Sequence, residues 1–162
     1  MAANMMPRNF IKIGLISDTH NLLRPEAIRA LAGVDRILHA GDICGAGVLH
    51  ELQLIAPLVV VRGNNDLGPW ADSIPITGAV DIGGFSIYML HNLDELDLDP
   101  EAAGFHVVVS GHTHRPLVER KGSVLFVNPG SAGPRRFKLP VALATLVIEK
   151  GMVEANIHIL EQ

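Results

Sequence analysis

Seven polar side chains of metal-binding type lie at the ends of short apolar runs in the sequence. They are Asp18, His20, Asp42, Asn64, His91, His112 and His114. Carboxylate, amide and imidazole ligands without a thiolate suit Mn²⁺, iron or Zn²⁺ better than a soft metal or an iron–sulfur cluster. Seven ligands are too many for one ion, but two ions that share a bridging carboxylate would use all of them. Such a pair suits in-line displacement at phosphorus, because it acidifies a water molecule and spreads the charge of the transition state.

Four of these candidates form two pairs whose members are two residues apart. Asp18 with His20 is the first pair, and His112 with His114 is the second. On an extended backbone, residues at i and i+2 lie on the same side of the chain. Each pair is therefore predicted to bind one centre from an extended segment.

The apolar runs that precede the candidates predict a mixed α/β fold. Strands are predicted at residues 11–16, 34–39, 58–61, 86–90, 107–109, 124–127, 141–148 and 153–159, and helices at 25–32 and 48–56. The first third reads β-α-β-α-β, which implies parallel strands joined by right-handed crossovers. Glycine-containing turns at 82–85, 121–123 and 150–151 predict hairpins in the second half. Ligands bind beyond the carboxyl ends of parallel strands, so distant candidates are expected to meet at one rim.

The composition limits the class of protein. The chain has 162 residues, of which 48% are hydrophobic and 19% charged, so it is expected to fold as one domain over 1–162 with a core at about 11–159. A formal charge of −4 disfavours general binding to nucleic acid, although it leaves a local basic patch open, and the apolar content leaves room for a homo-oligomer. The lone Cys44 excludes an intramolecular disulfide.

Nothing in the sequence suggests a membrane or secreted protein. The longest apolar run, 141–148, is far shorter than the ~18 residues of a membrane span. The first ten residues lack the apolar segment of a signal peptide. A cytoplasmic location is therefore expected.

Taken together, the motifs resemble those of a known family. Asp18-x-His20, Gly41-Asp42, Gly63-Asn64-x-Asp66, His91 and Gly111-His112-x-His114 occur in the order and at the spacing of the calcineurin-like metallophosphoesterase superfamily. The resemblance is strongest to its small, single-domain bacterial and archaeal phosphodiesterases, which also carry a stretch like Asn128-Pro129-Gly130-Ser131. It covers residues 11–159, which is nearly the whole chain.

This resemblance implies a fold, a ligand set and a reaction. The implied fold is a four-layer α/β/β/α sandwich of two mixed sheets flanked by helices. The implied ligands are Asp18, His20, Asp42 and His114 for one divalent ion, and Asp42, Asn64, His91 and His112 for the other. Asp42 would be the bridge, and Mn²⁺ is the first choice, with Zn²⁺, iron or Ni²⁺ also compatible. The implied activity is hydrolysis of a small phosphodiester by a metal-bridging hydroxide, with Asp42, Asn64 and His112 as the catalytic residues.

Two positions depart from the family pattern. Many phosphatases of the family have a histidine after the metal-binding asparagine, which can protonate the leaving group, but this chain has Asn65. That change favours diesters or activated leaving groups over monoesters. The segment His91-Asn92-Leu93 replaces a common His-Gly-His. Two alternatives remain open: a phosphomonoesterase, and a non-catalytic interaction scaffold similar to the phosphoesterase-like subunit of the retromer complex.

Several residues near the candidate ligands in the sequence are expected to support them. Gly41, Gly63 and Gly111 each precede a candidate, and a backbone without Cβ is expected to allow sharp exits from the strands. Asp66 is expected to brace its own loop. His39 could orient a ligand by a hydrogen bond or be a buried histidine with its own partners.

Overall fold

The computed structural model describes residues 8–161, which form two five-stranded sheets and two α-helices. The strands in chain order are β1 (Phe10–Ile16), β2 (Arg36–His39), β3 (Leu58–Val60), β4 (Thr77–Ile82), β5 (Phe85–Leu90), β6 (Val107–Val109), β7 (Leu117–Lys121), β8 (Val124–Asn128), β9 (Val141–Glu149) and β10 (Met152–Glu161). The helices are α1 (Pro25–Ala30) and α2 (Ala46–Gln53), and a 3₁₀ helix covers Leu93–Glu95.

Both sheets are mixed. The first has the order β10-β9-β1-β2-β3, in which β1, β2 and β3 are parallel and the β9–β10 hairpin extends the sheet antiparallel to β1. The second has the order β4-β5-β6-β8-β7, in which β5, β6 and β8 are parallel and the two edge strands are antiparallel. Each sheet therefore has a parallel centre whose carboxyl ends can carry a site.

The register makes neighbouring strands end at the same level. In the first sheet, Ile16 pairs with His39, which pairs with Val60. In the second sheet, Met89, Val109 and Val127 are aligned in the same way. The loops that follow these strands consequently leave each sheet along one edge.

The two sheets pack face to face around a shared hydrophobic core. Its buried members include Ile13 and Leu15 of the first sheet and Val107 and Val109 of the second. The outer face of the first sheet packs against α1 and α2 through residues such as Leu31 and Leu52. The outer face of the second sheet is covered by the 3₁₀ helix and the loop after it, which contribute Leu93, Leu96, Leu98 and Phe105.

This architecture confirms the predicted sandwich of two mixed sheets, with one difference in its fourth layer. The described residues form no α-helix over the second sheet, which is covered only by the 3₁₀ helix and a loop. All eight predicted strands are present, but α1 ends at Ala30 and α2 runs from Ala46 to Gln53, so both helices are shorter than predicted. The ends of the predicted domain, residues 1–7 and 162, lie outside the described residues, and its unity as a single domain stays a prediction.

No helix of residues 8–161 is long and apolar enough to span a membrane.

Candidate metal centre

All seven candidate ligands follow the carboxyl ends of the parallel strands. Asp18 and His20 follow β1, Asp42 follows β2, Asn64 follows β3, His91 follows β5, and His112 and His114 follow β6. The first sheet thus supplies four candidates and the second sheet supplies three. The structure brings them together at the edge where the strands end level.

Hydrogen bonds join the loops that carry the candidates. The Asp18 amide donates to the Gly41 carbonyl at 2.9 Å, and the His20 amide donates to the Asp42 carbonyl at 3.0 Å. Across the two sheets, the His112 amide donates to Asp18 Oδ2 at 3.1 Å. These contacts fix the loops of both sheets relative to one another.

The backbone at the site is left-handed. Nine described residues other than glycine have a positive φ, and five of them are candidate ligands: Asp18 at 55°, His20 at 46°, Asp42 at 56°, His112 at 72° and His114 at 62°. Such a conformation costs about 1–3 kcal/mol for each residue and is concentrated at functional sites in proteins. The prediction of extended pairs was therefore wrong, because both members of each pair have a left-handed backbone. Asp18 and His20 lie in one group of donors with His114, whereas His112 contacts Asn64 and His91.

The donor atoms lie close enough to share cations. Asp18 Oδ1 is 3.3 Å from His114 Nε2, 3.7 Å from His20 Nε2 and 3.8 Å from His91 Nε2. Asp42 Oδ2 is 3.3 Å from His91 Nε2 and 3.8 Å from His20 Nε2. Two groups have ligand atoms that all lie within 4.8 Å of one another, namely Asp18, His20 and His114, and Asp18, Asp42 and His91.

These groups overlap the two ligand sets implied by the family resemblance. The first contains three of the four members of one implied set. Asp18 belongs to both groups, whereas Asp42 lies between His20 and His91. Bridging of two ions by Asp42 accordingly stays a prediction.

The two remaining candidates are the most exposed. His112 Nδ1 is 3.2 Å from Asn64 Oδ1, and the His112 ring meets the His91 ring edge to face at 5.2 Å. Asn64 and His112 are both exposed, in contrast to the buried Asp18, Asp42 and His91. They lie on the solvent side of the centre, where a substrate can reach them.

Buried atoms without a hydrogen-bond partner lie at the candidate centre. Among the described residues these are Asp18 Oδ1, His91 Nε2 and His114 Nδ1. A buried polar atom left without a partner costs about 1–3 kcal/mol. Asp18 Oδ1 and His91 Nε2 both belong to the groups of close donors. Oxygen and imidazole donors arranged in this way fit divalent cations of the manganese, iron or zinc type.

The electrostatics keep both carboxyl groups ionised. Burial acts to raise the pKa of Asp18, but the imidazoles of His114 and His20 outweigh it and hold that pKa far below its usual range. Burial also acts to raise the pKa of Asp42, but His91 and the hydrogen bonds from Asn65 lower it to about 2. At neutral pH the centre therefore carries two negative charges that can bind cations.

Asn65 has a role that the sequence did not reveal. Its backbone amide donates to Asp42 Oδ1 at 2.9 Å, and its side-chain amide donates to Asp42 Oδ2, also at 2.9 Å. Both oxygens of the carboxylate are thus oriented by one residue. The sequence showed only that a titratable group was missing at this position.

Asp66 braces more than its own loop. Its carboxylate accepts hydrogen bonds from the amides of Gly63 at 2.8 Å, Asp42 at 2.9 Å and Cys44 at 2.8 Å. The first of these contacts is the predicted brace. The other two fix the left-handed turn that presents Asp42.

His39 connects the loops after β1 and β2. It is fully buried, and its Nδ1 accepts a hydrogen bond from the Gly41 amide at 3.1 Å. Its Nε2 therefore carries the proton and donates to Thr19 Oγ1 at 3.0 Å, and that hydroxyl donates to the Ile43 carbonyl at 3.2 Å. Burial lowers the pKa of His39 to about 3, so the ring is neutral.

The glycines before the candidates act in two different ways. Gly41 has φ of +103°, and a Cβ there would lie 2.8 Å from His91 Nδ1. Gly63 and Gly111 do not need positive φ, but a Cβ on Gly63 would contact Asp42, and one on Gly111 would contact Ser17 and lie 2.6 Å from Asp18 Oδ2. The expected sharp turn of the chain after a strand explains why glycine is needed at Gly41. At Gly63 and Gly111, glycine is needed because neighbouring loops approach closely.

The Asn-Pro-Gly-Ser stretch supports the loops of both sheets. The Asn128 side-chain amide donates to the Gly111 carbonyl at 2.9 Å and to Thr113 Oγ1 at 3.0 Å. The Ser131 hydroxyl donates to the Asp18 carbonyl at 2.9 Å. The motif signalled that this stretch matters, but only the structure shows that it holds the ligand loops.

Cys44 lies beside the centre as a neutral thiol. Its Sγ is 3.6 Å from His20 Nδ1. Burial and the nearby carboxylates of Asp66 and Asp42 raise the pKa of Cys44 to about 11. At neutral pH it does not compete as a thiolate ligand.

Comparison with known proteins identifies the family. Residues 11–151 match the calcineurin-like phosphoesterase superfamily domain. The chain belongs to the calcineurin-like phosphoesterase superfamily. It is 32% identical to a probable metallophosphoesterase of Methanothermobacter thermautotrophicus over 90% of either chain.

Solved structures of other proteins show the same fold. A novel archaeal phosphodiesterase superposes with a TM-score of 0.75 at 26% identity and covers 91% of this chain and all of its own. Vacuolar protein sorting 29 from Cryptosporidium parvum superposes with a TM-score of 0.75 at 21% identity, over 93% of this chain and 98% of that chain. The fold of this chain is thus shared by a protein named as a phosphodiesterase and by one named for vacuolar protein sorting.

Proposed function

We propose that this protein is a metal-dependent phosphodiesterase with a dinuclear centre formed by Asp18, His20, Asp42, Asn64, His91, His112 and His114. The observation that carries the proposal is the pair of buried, ionised carboxylates surrounded by imidazole nitrogens, in which the close donors Asp18 Oδ1 and His91 Nε2 have no hydrogen-bond partner. The phosphodiesterase name of a 26% identical structural relative supports the same activity. When bound, two divalent ions would supply Lewis acidity and an acidified water for attack on phosphorus.

Different residues of the chain supply the negative charge, orient it and contact the substrate. Asp18 and Asp42 supply the negative charge, and Asn65 and Asp66 keep Asp42 in one orientation. Asn64 and His112 are exposed beside the buried donors, so their side chains can contact phosphoryl oxygens of a substrate. A fixed arrangement of this kind stabilises developing charge without reorganisation during the reaction.

The absence of a titratable group at Asn65 favours a diester substrate. The side-chain amide of Asn65 cannot titrate to protonate a departing alkoxide, and one of its hydrogens is directed to Asp42. Substrates with a good leaving group do not require that proton. Manganese is the first choice for the proposal, because the family resemblance implies it and oxygen and nitrogen donors accept it; Zn²⁺, iron and Ni²⁺ fit the same donors.

Turnover of bis(p-nitrophenyl) phosphate with added Mn²⁺ tests this proposal. We expect a metal-dependent rate that falls by about 100-fold or more in Asp42→Asn. Asp72→Asn, which removes an exposed carboxylate elsewhere, is the matched control and is expected to keep the wild-type rate. A wild-type rate no higher than that of Asp42→Asn would refute the proposal. Metal analysis of the purified protein gives the number and identity of the ions.

A protein-interaction scaffold is the second candidate. The fold similarity to vacuolar protein sorting 29 favours it, whereas the full set of donors favours catalysis. A protein that binds Mn²⁺ but hydrolyses no ester would support the scaffold. Comparing p-nitrophenyl phosphate with the diester decides the third alternative, since a clear preference for the monoester would show a phosphomonoesterase.

A further inference from the structure

Two recesses lie on either side of the His112 loop. One, of about 200 Å³, is lined mainly by polar residues that include Arg62, Asn64, His91, Glu95 and His112. The other has a volume of about 540 Å³ and is lined by Gly111 and Thr113, the neighbours of His112 in the chain. Asn92 lines both recesses. The smaller recess contains three candidate ligands, and the larger one adjoins the centre through Asn92 and the neighbours of His112.

The larger recess has an apolar wall. Leu93 of the 3₁₀ helix, Leu117 of β7, Phe126 of β8, and Pro116 and Leu139 from loops line it. Its volume and apolar lining, with a few polar groups such as Thr113 and Arg115, are typical of a pocket for a small ligand. The smaller recess offers Ile76 as its apolar side chain.

We infer that the larger recess binds one ester group of the substrate, so that the preferred phosphodiesters carry one bulky, apolar, ring-sized substituent. This inference rests on the proposed function, since it places the phosphate at the candidate metal centre. A diester has two ester groups, and the two recesses differ in size and polarity. The larger recess would favour an ester group with a large apolar surface. The second ester group would face the smaller, polar recess.

Leu117 and Val118 provide a matched pair of positions. They are consecutive residues of β7, so their side chains lie on opposite faces of the sheet. Leu117 is 47% exposed and Val118 is 40% exposed, but of the two only Leu117 lines the recess. Truncation of each to alanine removes a similar apolar group at a similar exposure, on different sides of the strand.

Binding of three simple diesters to the full chain, loaded with diamagnetic Zn²⁺ so that amides near the centre stay visible, tests the inference by NMR titration. The probes are dimethyl phosphate, methyl phenyl phosphate and diphenyl phosphate. We expect methyl phenyl phosphate to bind about tenfold more tightly than dimethyl phosphate, because its ring leaves water. Diphenyl phosphate should bind within about threefold of methyl phenyl phosphate, because only one recess is apolar. The amides of Thr113 and Leu117 should shift with the phenyl compounds only.

Two alanine variants test whether the preference for the phenyl compound arises in the larger recess. Leu117→Ala should reduce the preference for the phenyl compound by about threefold, while Val118→Ala should leave it unchanged. Equal affinities for methyl phenyl and dimethyl phosphate, equal effects of the two variants, or a second tenfold gain with diphenyl phosphate would each overturn the inference.

Hydrolysis of bis(p-nitrophenyl) phosphate by the same chain with added Mn²⁺ separates this inference from the proposed function. A phenyl preference without turnover would refute the phosphodiesterase and keep the recess as a ligand site. Turnover without a phenyl preference would keep the phosphodiesterase and refute the role of the recess.

Discussion

The side chain of Asn65 shows how a substitution in a family pattern changes the chemistry of one position. Both hydrogen bonds from Asn65 are made to the carboxylate of Asp42. A histidine at this position could protonate a leaving group, whereas asparagine acts only on the orientation of the carboxylate. This chain therefore has no acid at this position, and has instead a residue that holds the Asp42 carboxylate in one orientation.

Asn65→His is expected to restore a leaving-group acid. The ratio of kcat/KM for phenyl phosphate to that for p-nitrophenyl phosphate should rise by about tenfold, because phenoxide is the poorer leaving group and gains more from protonation than p-nitrophenoxide. Asn65→Ala is the control, since it removes the side-chain hydrogen bond without adding an acid. The two ratios are measured at neutral pH, and equal ratios in the two variants would contradict this role.

The buried ring of His39 is expected to make the free energy of unfolding depend on pH. Its pKa is lowered to about 3 by burial, so the folded state keeps the ring neutral at pH values where the unfolded chain is already protonated. The unfolded state then binds one more proton, and the free energy of unfolding should fall by about 1.4 kcal/mol for each pH unit below about 6.5. His91 acts in the opposite sense, since its raised pKa contributes stability that is lost as the pH rises above 6.5.

Urea unfolding between pH 6.5 and 4.5, with a chelator present, measures this slope. His39→Gln should flatten the slope by about one proton, and His50→Gln, which changes an exposed histidine, should not. An unchanged slope in His39→Gln would show that another group causes the acid sensitivity.

At the scale of elements, the level ends of the strands position the site. The sequence predicts strands such as β6 to the residue because three β-branched residues stand between polar ones. It does not delimit β7, because every side chain of that strand is exposed and the apolar alternation is lost. The left-handed turns at Asp18 and Asp42 were also beyond prediction, since contacts between loops distant in sequence maintain them.

Gly111 tests whether close packing of the loops matters. Its φ is accessible to alanine, but the added Cβ would contact Ser17 and Asp18, so Gly111→Ala should lower stability by about 1–3 kcal/mol and weaken metal binding. Gly47→Ala in α2 is the control of opposite sign: its Cβ would have no heavy atom within 4 Å, and the helix should gain about 0.5–1 kcal/mol. Denaturant unfolding of both variants checks the two signs, and a neutral Gly111→Ala would contradict the close approach.

At the scale of the whole molecule, the candidate centre lies between two sheets whose strands come from distant parts of the chain. β1 pairs with β9 across more than a hundred residues, and the His112 amide of the second sheet bonds Asp18 of the first. The motifs allowed the ligand residues and the sandwich to be predicted by resemblance. Strand order could not be worked out from local patterns, because it depends on how the two hydrophobic faces meet.

Because both sheets contribute donors, cations should stabilise the complete fold. If Mn²⁺ is present at about one hundred times its dissociation constant, the free energy of unfolding should rise by about 2.7 kcal/mol. For a chain of this size, that change raises Tm by about 5–10 °C, and a chelator should reverse it. Asp18→Asn in the first sheet and His91→Ala in the second should each abolish most of the shift, whereas Asp72→Asn should retain it. A full shift in His91→Ala would show that His91 does not hold the cation, and would contradict its place beside Asp18 and Asp42 in the candidate centre.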